Sequence, residues 1–410
     1  MIRQKEEAKK EKLSEMKTDG MRALAYSVND AEEQAWTVIY MLEEGRIRQV
    51  LTEQTDAPRV GDIWLARVVQ ISKAISASFV ETEGGRFFLP GIHKVGTILP
   101  VMVETLAYRE KLAKATTKLA VSGDCMVMSA GQSGIRYSQK LTAEQKKRLR
   151  EICDTPEVKD VLQEQSVGIL FRTKAGETGE EELMTEVRSL AAQFKKICER
   201  ANREVSCTRL HSCGSVIAQS IQKMAENGGV WITESVELYE KAMTEAGRIG
   251  AGTSVVRLYE DRNITVAALY GLQAKIKRIC AERVWLDCGA ELVITEAEAM
   301  CVIDVNSAKT RAGKEREETF LKLNLEAARE IMYQIPARNI SGTILIDFIN
   351  MDDEKSETIL LSEMRSLAKG IYPPVKVVDI TKLGIMETTR QRLEGSLKEK
   401  KDLLDKTILL

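Results

Sequence analysis

The chain has 410 residues, enough for several hydrophobic cores, and its 44% hydrophobic and 30% charged residues fit a folded protein rather than a disordered one. Lys plus Arg (60) nearly balance Asp plus Glu (61), so a globally basic mode of nucleic-acid binding is excluded and any basic surface must be local. No apolar run approaches the ~18 residues of a membrane span.

The charged N-terminus has no apolar segment behind it to act as a secretory signal, and eight cysteines without a CxxC pair read as reduced thiols. A cytosolic location is the expectation. Cys207, His211 and Cys213 lie close in sequence, but their spacing matches no standard zinc site. With only two histidines, His93 and His211, catalysis is expected to rest on carboxylates.

Residues 3–17 mix charges with little apolar periodicity and are expected to form a solvated helix or frayed arm. From Gly61 the pattern changes to short β-rich runs at 63–71, 75–80, 87–89 and 98–106, broken by Gly, Pro and charged turns, the cadence of a small barrel. Thr142-Ala-Glu-Gln145 reads as a capping box opening a basic helix. Residues 167–171 read as a buried strand, and Leu183, Val187, Leu190, Phe194 and Ile197 predict a helix over 180–203.

After Gly228-Gly229, apolar runs at 230–233, 254–258 and 284–286 alternate with helical segments, as in a mixed α/β region. Residues 300–305 predict a strand. Residues 315–334 predict a helix with Leu321, Leu325, Ala328 and Met332 on one stripe, and 343–349 a second strand. Strands joined by such a crossover helix run parallel, with ligands beyond their carboxyl ends.

Each of these last two strands carries one aspartate inside an apolar run, Asp304 and Asp347. If the strands are neighbours, the two charges repel across ~4.8 Å, and a divalent cation removes that cost. Oxygen-only ligands with open positions suit Mg²⁺ or Mn²⁺ completed by water and phosphate. Asn306 falls on the same strand face as Asp304, where it could orient an attacking water. Equally, each aspartate could cap a helix or pair with a basic neighbour.

Lys309, Arg311, Lys314 and Arg316 follow within a short loop that suits phosphate contacts, or that merely balances Glu315, Glu317 and Glu318. In SFVETEGGRFFLPG, Phe79 and Phe88 flank a Gly-Gly turn with Arg86 and Lys111 nearby. Aromatic faces among basic side chains suit base stacking, the alternative being that both phenylalanines are core. Phe87 and Phe88 face opposite sides of their strand, so one is expected inside and one outside. Arg172-Thr173, at the end of the 167–171 strand, offers a guanidinium fork and a hydroxyl for a terminal phosphate, or is an ordinary strand end.

These residues together resemble a known family. From residue 284 to 397 the segments VWLDCGAELVITEAEAMCVIDVNSAK, EETFLKLNLEAAREI, GTILIDFINM and GIMETTRQRLEGSL look like the catalytic region of the ribonuclease E/G family. SFVETEGGRFFLPG resembles that family's oligonucleotide-binding barrel, and VGILFRTKAGETGEEEL its sensor of RNA 5′ ends. The resemblance implies a single-strand-specific endoribonuclease whose Mg²⁺ is held by Asp304 and Asp347, with Asn306 positioning water. Its products would carry 5′-phosphate and 3′-hydroxyl ends.

The resemblance further assigns Arg172 and Thr173 to a 5′-monophosphate, Phe79 and Phe88 to RNA stacking, and Lys111 to the RNA-contacting loop of the barrel. It implies an α/β multidomain fold. Residues 1–57 would be an arm and the first part of a ribonuclease-H-like subdomain, 58–122 the OB-fold barrel, and 123–205 the sensor. Residues 206–282 would complete the ribonuclease-H-like part, 283–400 would form a deoxyribonuclease-I-like catalytic subdomain, and 401–410 a tail. Bacterial rRNA and tRNA processing and mRNA decay are the implied processes.

Four departures from the family stand out. The terminal segment KEKKDLLDKTILL lacks the Cys-Pro-x-Cys motif through which zinc links two family subunits, so no structural zinc is expected and any homodimer would form through protein surface. Leu403, Leu404, Ile408, Leu409 and Leu410 could supply that surface or pack on their own domain. Asn350 replaces a common acidic residue, Tyr372-Pro373-Pro374 a basic run, and Leu112 a glycine beside Lys111. Two competing readings are a noncatalytic RNA-binding protein of the same fold and a nucleotide-using α/β enzyme. Against the latter, no GxxxxGK[ST] loop occurs.

Overall fold

Apolar runs rich in Val, Ile, Leu, Tyr and Met near the start of the chain fold as β1 (Arg22–Asn29), β2 (Ala35–Glu43) and β3 (Arg46–Gln54). They form an antiparallel meander. The β2–β3 connection is the two-residue turn Glu44-Gly45, with φ of 49° and 72°, a left-handed pair that matches strand twist and that glycine adopts without a Cβ penalty. A computed structural model of the chain describes residues 20–107, 111–131, 134–164, 167–261, 263–307 and 315–409. Described residues up to Thr55 and from Gly214 onward make one compact unit, into which Asp56–Cys213 is inserted as a second.

The inserted unit opens with a closed five-stranded, OB-like barrel. β4 (Ile63–Ser72), β5 (Ala77–Thr82), β6 (Gly85–Pro90), β7 (Ile98–Thr105) and β8 (Ala113–Thr116) run in the order β4-β5-β6-β8-β7, and β7 returns to pair with β4. Inward positions Trp64, Val68, Val80, Phe87, Leu89 and Val101 fill it. Gly84, in the β5–β6 turn, is required by crowding: a Cβ there would stand 2.8 Å from both Pro58 and Trp64.

Beyond the barrel, β9 (Ala120–Ser122), β10 (Met126–Ala130), β11 (Gly134–Tyr137) and β12 (Val167–Phe171) form a sheet in the order β11-β12-β10-β9. Helices Ala143–Cys153 and Glu180–Arg203 bury Leu149, Ile152, Leu183, Val187 and Phe194 against its Met126, Met128, Ile169 and Phe171. The Thr142–Gln145 capping box is reciprocal, satisfying two otherwise orphaned helix N–H groups.

Two boundaries differ from the sequence expectation: β9, expected within the barrel at 58–122, pairs instead with β10 in the neighbouring sheet. Residues 206–213 are expected in the part that follows the sensor, yet β13 (Arg209–His211) pairs antiparallel with β4, with the Arg209 guanidinium 4.6 Å over the Trp64 ring. A long-range strand pairing therefore keeps this stretch in the inserted unit.

On its return the chain adds β14 (Val230–Thr233), parallel to β1, and β15 (Val256–Leu258), giving the order β15-β14-β1-β2-β3. Both faces of this sheet are covered. Leu24, Tyr26, Val38 and Tyr40 pack with Leu272, Ile276 and Leu404 on one side, and Ala23, Ile39, Met41 and Trp231 pack with Ile221, Met224 and Leu238 on the other.

A second sheet of the same unit comprises β16 (Arg283–Trp285), β17 (Ala290–Glu296), β18 (Met300–Ser307), β19 (Gly342–Asp347), β20 (Val375–Ile380) and β21 (Ile385–Arg390), ordered β16-β17-β18-β19-β21-β20. Only β18 and β19 pair in parallel, connected through the Glu315–Ala337 helix. One face buries Leu292, Ile303, Val305, Ile344, Ile346 and Met386 beneath that helix and the Glu354–Leu367 helix. The opposite face carries the polar positions of β18 and β19.

The C-terminal residues, expected as a tail, instead form the Lys401–Leu409 helix. It seats Leu403 and Leu404 in the core beneath β1, and the hydroxyls of Thr407 and Tyr40 lie 2.6 Å apart. Of the two options for these leucines, packing on their own domain is the one observed; the side chains of Ile408, Leu409 and Leu410 lie outside the described residues. Leu404 is fully buried, so Leu404→Ala should destabilise this unit by roughly 2–5 kcal/mol in urea unfolding followed by circular dichroism.

Candidate active site

Strand alternation places the chemistry. In β18, Cys301, Ile303 and Val305 point into the core while Val302, Asp304 and Asn306 occupy the other face; in β19, Ile344 and Ile346 point inward and Leu345 and Asp347 outward. Parallel pairing then sets Asp304 directly opposite Asp347, one strand spacing or ~4.8 Å away, with Asp347 the last residue of β19. Asp304 is half-buried and Asp347 exposed. Partial desolvation, reinforced by the charge of Asp304, raises the Asp347 carboxyl above its ordinary value.

Asn306 donates from Nδ2 to Asp304 Oδ2 at 2.7 Å. That bond orients one carboxylate and leaves the asparagine carbonyl oxygen turned to other uses. Two facing carboxylates that repel one another and supply only oxygen would suit a hard divalent cation that retains water ligands. Among the described residues no group of three or more His, Cys, Asp or Glu is gathered for a metal.

Sequence reasoning missed one supporting residue. Asn324, fully buried in the Glu315–Ala337 helix, donates to the Ile349 carbonyl at 2.8 Å and accepts from the Ile349 N–H at 3.1 Å. It thereby fixes the backbone where β19 ends. The available signal was an amide set among the apolar positions Leu321, Leu325 and Ala328. Lys309, Arg311 and Lys314 lie outside the described residues, as does the side chain of Arg316.

Within the inserted unit, Phe79 and Phe88 are directly paired across β5 and β6, their rings edge-to-face with centroids 6.1 Å apart. Both are half-buried, whereas Phe87 is 1% exposed, so the barrel core takes Phe87 and leaves the pair at the surface. Arg86 covers Phe79, its guanidinium carbon 5.1 Å from the ring centroid. Lys111 is exposed just before β8, whose Lys114 pairs with Phe88.

Arg172 and Thr173 are both exposed at the end of β12. The Arg172 backbone is tied to the Cys125 carbonyl at 2.7 Å, and its guanidinium has no partner among the described residues. Thr173 shares a 3.0 Å hydroxyl contact with Ser138, a neighbour that no local pattern announced. An exposed guanidinium and hydroxyl on a fixed backbone are a form suited to an anion.

The model of the ribonuclease E/G family matches residues 120–393, more than half of the chain. The chain belongs to that family. Among its relatives, it is 27% identical to ribonuclease E of Haemophilus influenzae over 70% of this chain and 31% of that protein. It is 26% identical to ribonuclease E of Synechocystis sp. over 86% of this chain and 55% of that protein. With ribonuclease G of Haemophilus influenzae it shares 25% identity over 88% of this chain and 78% of the relative. The chain thus spans a third to little more than half of the two ribonucleases E. Within the family match lie Asp304, Asn306, Asp347, Arg172 and Thr173; Phe79, Phe88 and Lys111 precede it. No helix among the described residues is long and apolar enough to cross a membrane.

An acid whose carboxyl is raised in the folded state costs stability once it ionises, and costs nothing while it stays protonated in both states. In metal-free buffer, Asp347→Asn should therefore raise the melting temperature at neutral pH. The gain should vanish as pH falls below the carboxylate range, a profile that calorimetry across pH measures.

Proposed function

We propose that the chain is a Mg²⁺-dependent endoribonuclease that cleaves single-stranded RNA to 5′-phosphate and 3′-hydroxyl products and favours 5′-monophosphorylated substrates. The observation that carries the reading is the in-register pairing of Asp304 with Asp347 on an open sheet face. Family membership supports it. In this reading the first sheet of the larger unit and its helices are the ribonuclease-H-like part, and the second sheet is the deoxyribonuclease-I-like catalytic part. Bacterial rRNA and tRNA processing and mRNA decay are the proposed settings.

Asp304 and Asp347 would hold Mg²⁺, or Mn²⁺ in its place; bound there, the ion would neutralise charge on the scissile phosphate and lower the pKa of a water. Asn306, already bonded to Asp304 through its amide, would use its carbonyl oxygen to accept a hydrogen bond from the attacking water. Attack at phosphorus with departure of the 3′-oxygen yields the proposed ends. Phe79 and Phe88 would stack unpaired bases, and Lys111, Lys309 and Arg311 would neutralise backbone phosphates. Arg172 and Thr173 would take the 5′-monophosphate through a guanidinium fork and a hydroxyl.

Asp304→Asn and Asp347→Asn should each abolish Mg²⁺-dependent cleavage of a 5′-monophosphorylated, AU-rich single-stranded RNA while leaving most of the RNA affinity. Gel-resolved cleavage with Mg²⁺ and with EDTA checks this, and near-normal turnover by either variant would refute the assignment. Uncleaved but tightly bound RNA with the unaltered chain would identify a noncatalytic binder instead.

Arg172→Ala and Thr173→Val should lower the ratio of cleavage rates on 5′-monophosphorylated and 5′-hydroxyl RNA, with little change on the hydroxyl substrate. Competition between the two substrates in one reaction reads that ratio directly. An unchanged ratio would make the pair structural.

A further inference from the structure

β16 is the edge strand of the catalytic sheet, and it ends in Trp285. Of the four tryptophans, Trp64 and Trp231 are 3% and 0% exposed, and Trp36 donates its indole N–H to Asp30 at 2.8 Å. Trp285 is 64% exposed. An indole so placed buries little surface in the fold, and large aromatic side chains left in water mark contact sites more often than scaffolding.

Its position on the sheet follows from register. Trp285 pairs with Glu291 across β16 and β17, and Glu291 pairs with Asn306 across β17 and β18. Directly opposed residues share a face, so Trp285, Glu291 and Asn306 form one row on the face that carries Asp304 and Asp347. The adjacent row runs Arg283, Val293, Asp304, Asp347. Trp285 thus stands two strand spacings, ~10 Å, from Asn306, a span that neighbouring nucleotides of an extended single strand cover.

Charge along this row does not oppose a phosphate backbone. Glu291 is 7% exposed, and its Oε2 accepts from Arg283 Nη1 at 2.7 Å, so the carboxylate between Trp285 and Asn306 is paired with a guanidinium. Val302 and Met300, each 38% exposed, continue the same face with apolar surface.

We propose that Trp285 is a stacking platform for a base next to the cleaved linkage, so that it positions the strand over Asp304 and Asp347 and contributes to the choice of cleavage position. The inference rests on the ribonuclease reading above and adds a specificity-determining residue to it. The occupant is single-stranded RNA, because every base offers a π-face to an indole and the apolar, charge-paired row continues into the proposed catalytic pair.

The exposed indole supplies its own reporter. The full chain carrying Asp304→Asn, which prevents cleavage, is titrated in Mg²⁺ with a 5′-monophosphorylated, AU-rich oligoribonucleotide while tryptophan emission is followed. We expect saturable quenching that is largely lost when Trp285→Phe is added, with affinity kept within a few-fold because phenylalanine still stacks. Trp285→Ala should weaken binding by roughly 5- to 150-fold and, with Asp304 intact, raise KM more than it lowers kcat and spread the cleavage positions.

RNA that binds and is cut by the Trp285→Ala chain at unchanged KM and position would overturn the stacking role while leaving the ribonuclease reading intact. A change in particle mass on Trp285→Ala, by light scattering without RNA and with unchanged RNA affinity, would overturn it too, by making Trp285 a contact between copies. An unaltered chain that neither binds nor cuts the RNA would overturn the ribonuclease reading first, and this one with it.

Discussion

Holding two carboxylates face to face is electrostatically unfavourable, and the sheet that carries Asp304 and Asp347 is organised so that the chain has no alternative. Asp304 and Asp347 are opposed because β18 and β19 pair in register. That register is held from the other side of the sheet, where Ile303, Val305, Ile344 and Ile346 are buried against two helices. A slip of one residue in either strand would turn its two buried side chains, Ile303 and Val305 or Ile344 and Ile346, to water and its aspartate into the core, a change whose cost far exceeds the repulsion it would relieve. The hydrophobic face thus enforces what the polar face would not choose.

Smaller interactions sharpen this arrangement. Asn306 holds one oxygen of Asp304, and Asn324 reaches from the covering helix to both backbone groups of Ile349. A strand end is where a ladder runs out of partners and would fray. Supplying an amide from the helix at that point keeps the terminal carboxylate of β19 at a defined place. In the inserted unit the same logic recurs with different chemistry: Phe87 anchors β6 in the barrel, and alternation then obliges Phe88 to lie outside, where Phe79 meets it.

Features written in local periodicity were legible before any coordinates. The two aspartate-bearing strands, their crossover helix, the Thr142 cap and the helix from Glu180 to Arg203 each declare themselves within a few residues. What stayed hidden depends on partners distant in sequence. Nothing in Arg209-Leu-His211 says that it will pair with β4, and Leu403 and Leu404 read as an apolar tail until the sheet they cover is in place. The β1–β3 meander is likewise hard to read locally, because β1 and β2 are buried over most of their length and show near-continuous apolar runs rather than clean alternation. Trp285 reads locally as part of a short apolar run; its exposure and its row on the sheet are consequences of register.

The interrupted sheet has a bearing on how the chain is made. Thr233 reaches Ala25 across a sequence separation of 208 residues, so the edge of β1 that β14 will occupy leaves the ribosome long before its neighbour exists. Exposed strand edges invite pairing with other chains. The insertion has cores of its own, and its two ends are tied to each other: the Asp56 carbonyl accepts from Arg209 at 2.7 Å, and the Cys213 N–H donates to Asp62 at 2.8 Å. Once that knot of contacts forms, the entropy of closing a loop of this length has been met within the insertion, and β14 is delivered to β1 as though only a short connection lay between them. Translation in the amino-to-carboxyl direction therefore leaves β1 waiting for its parallel neighbour until the whole inserted unit has been made.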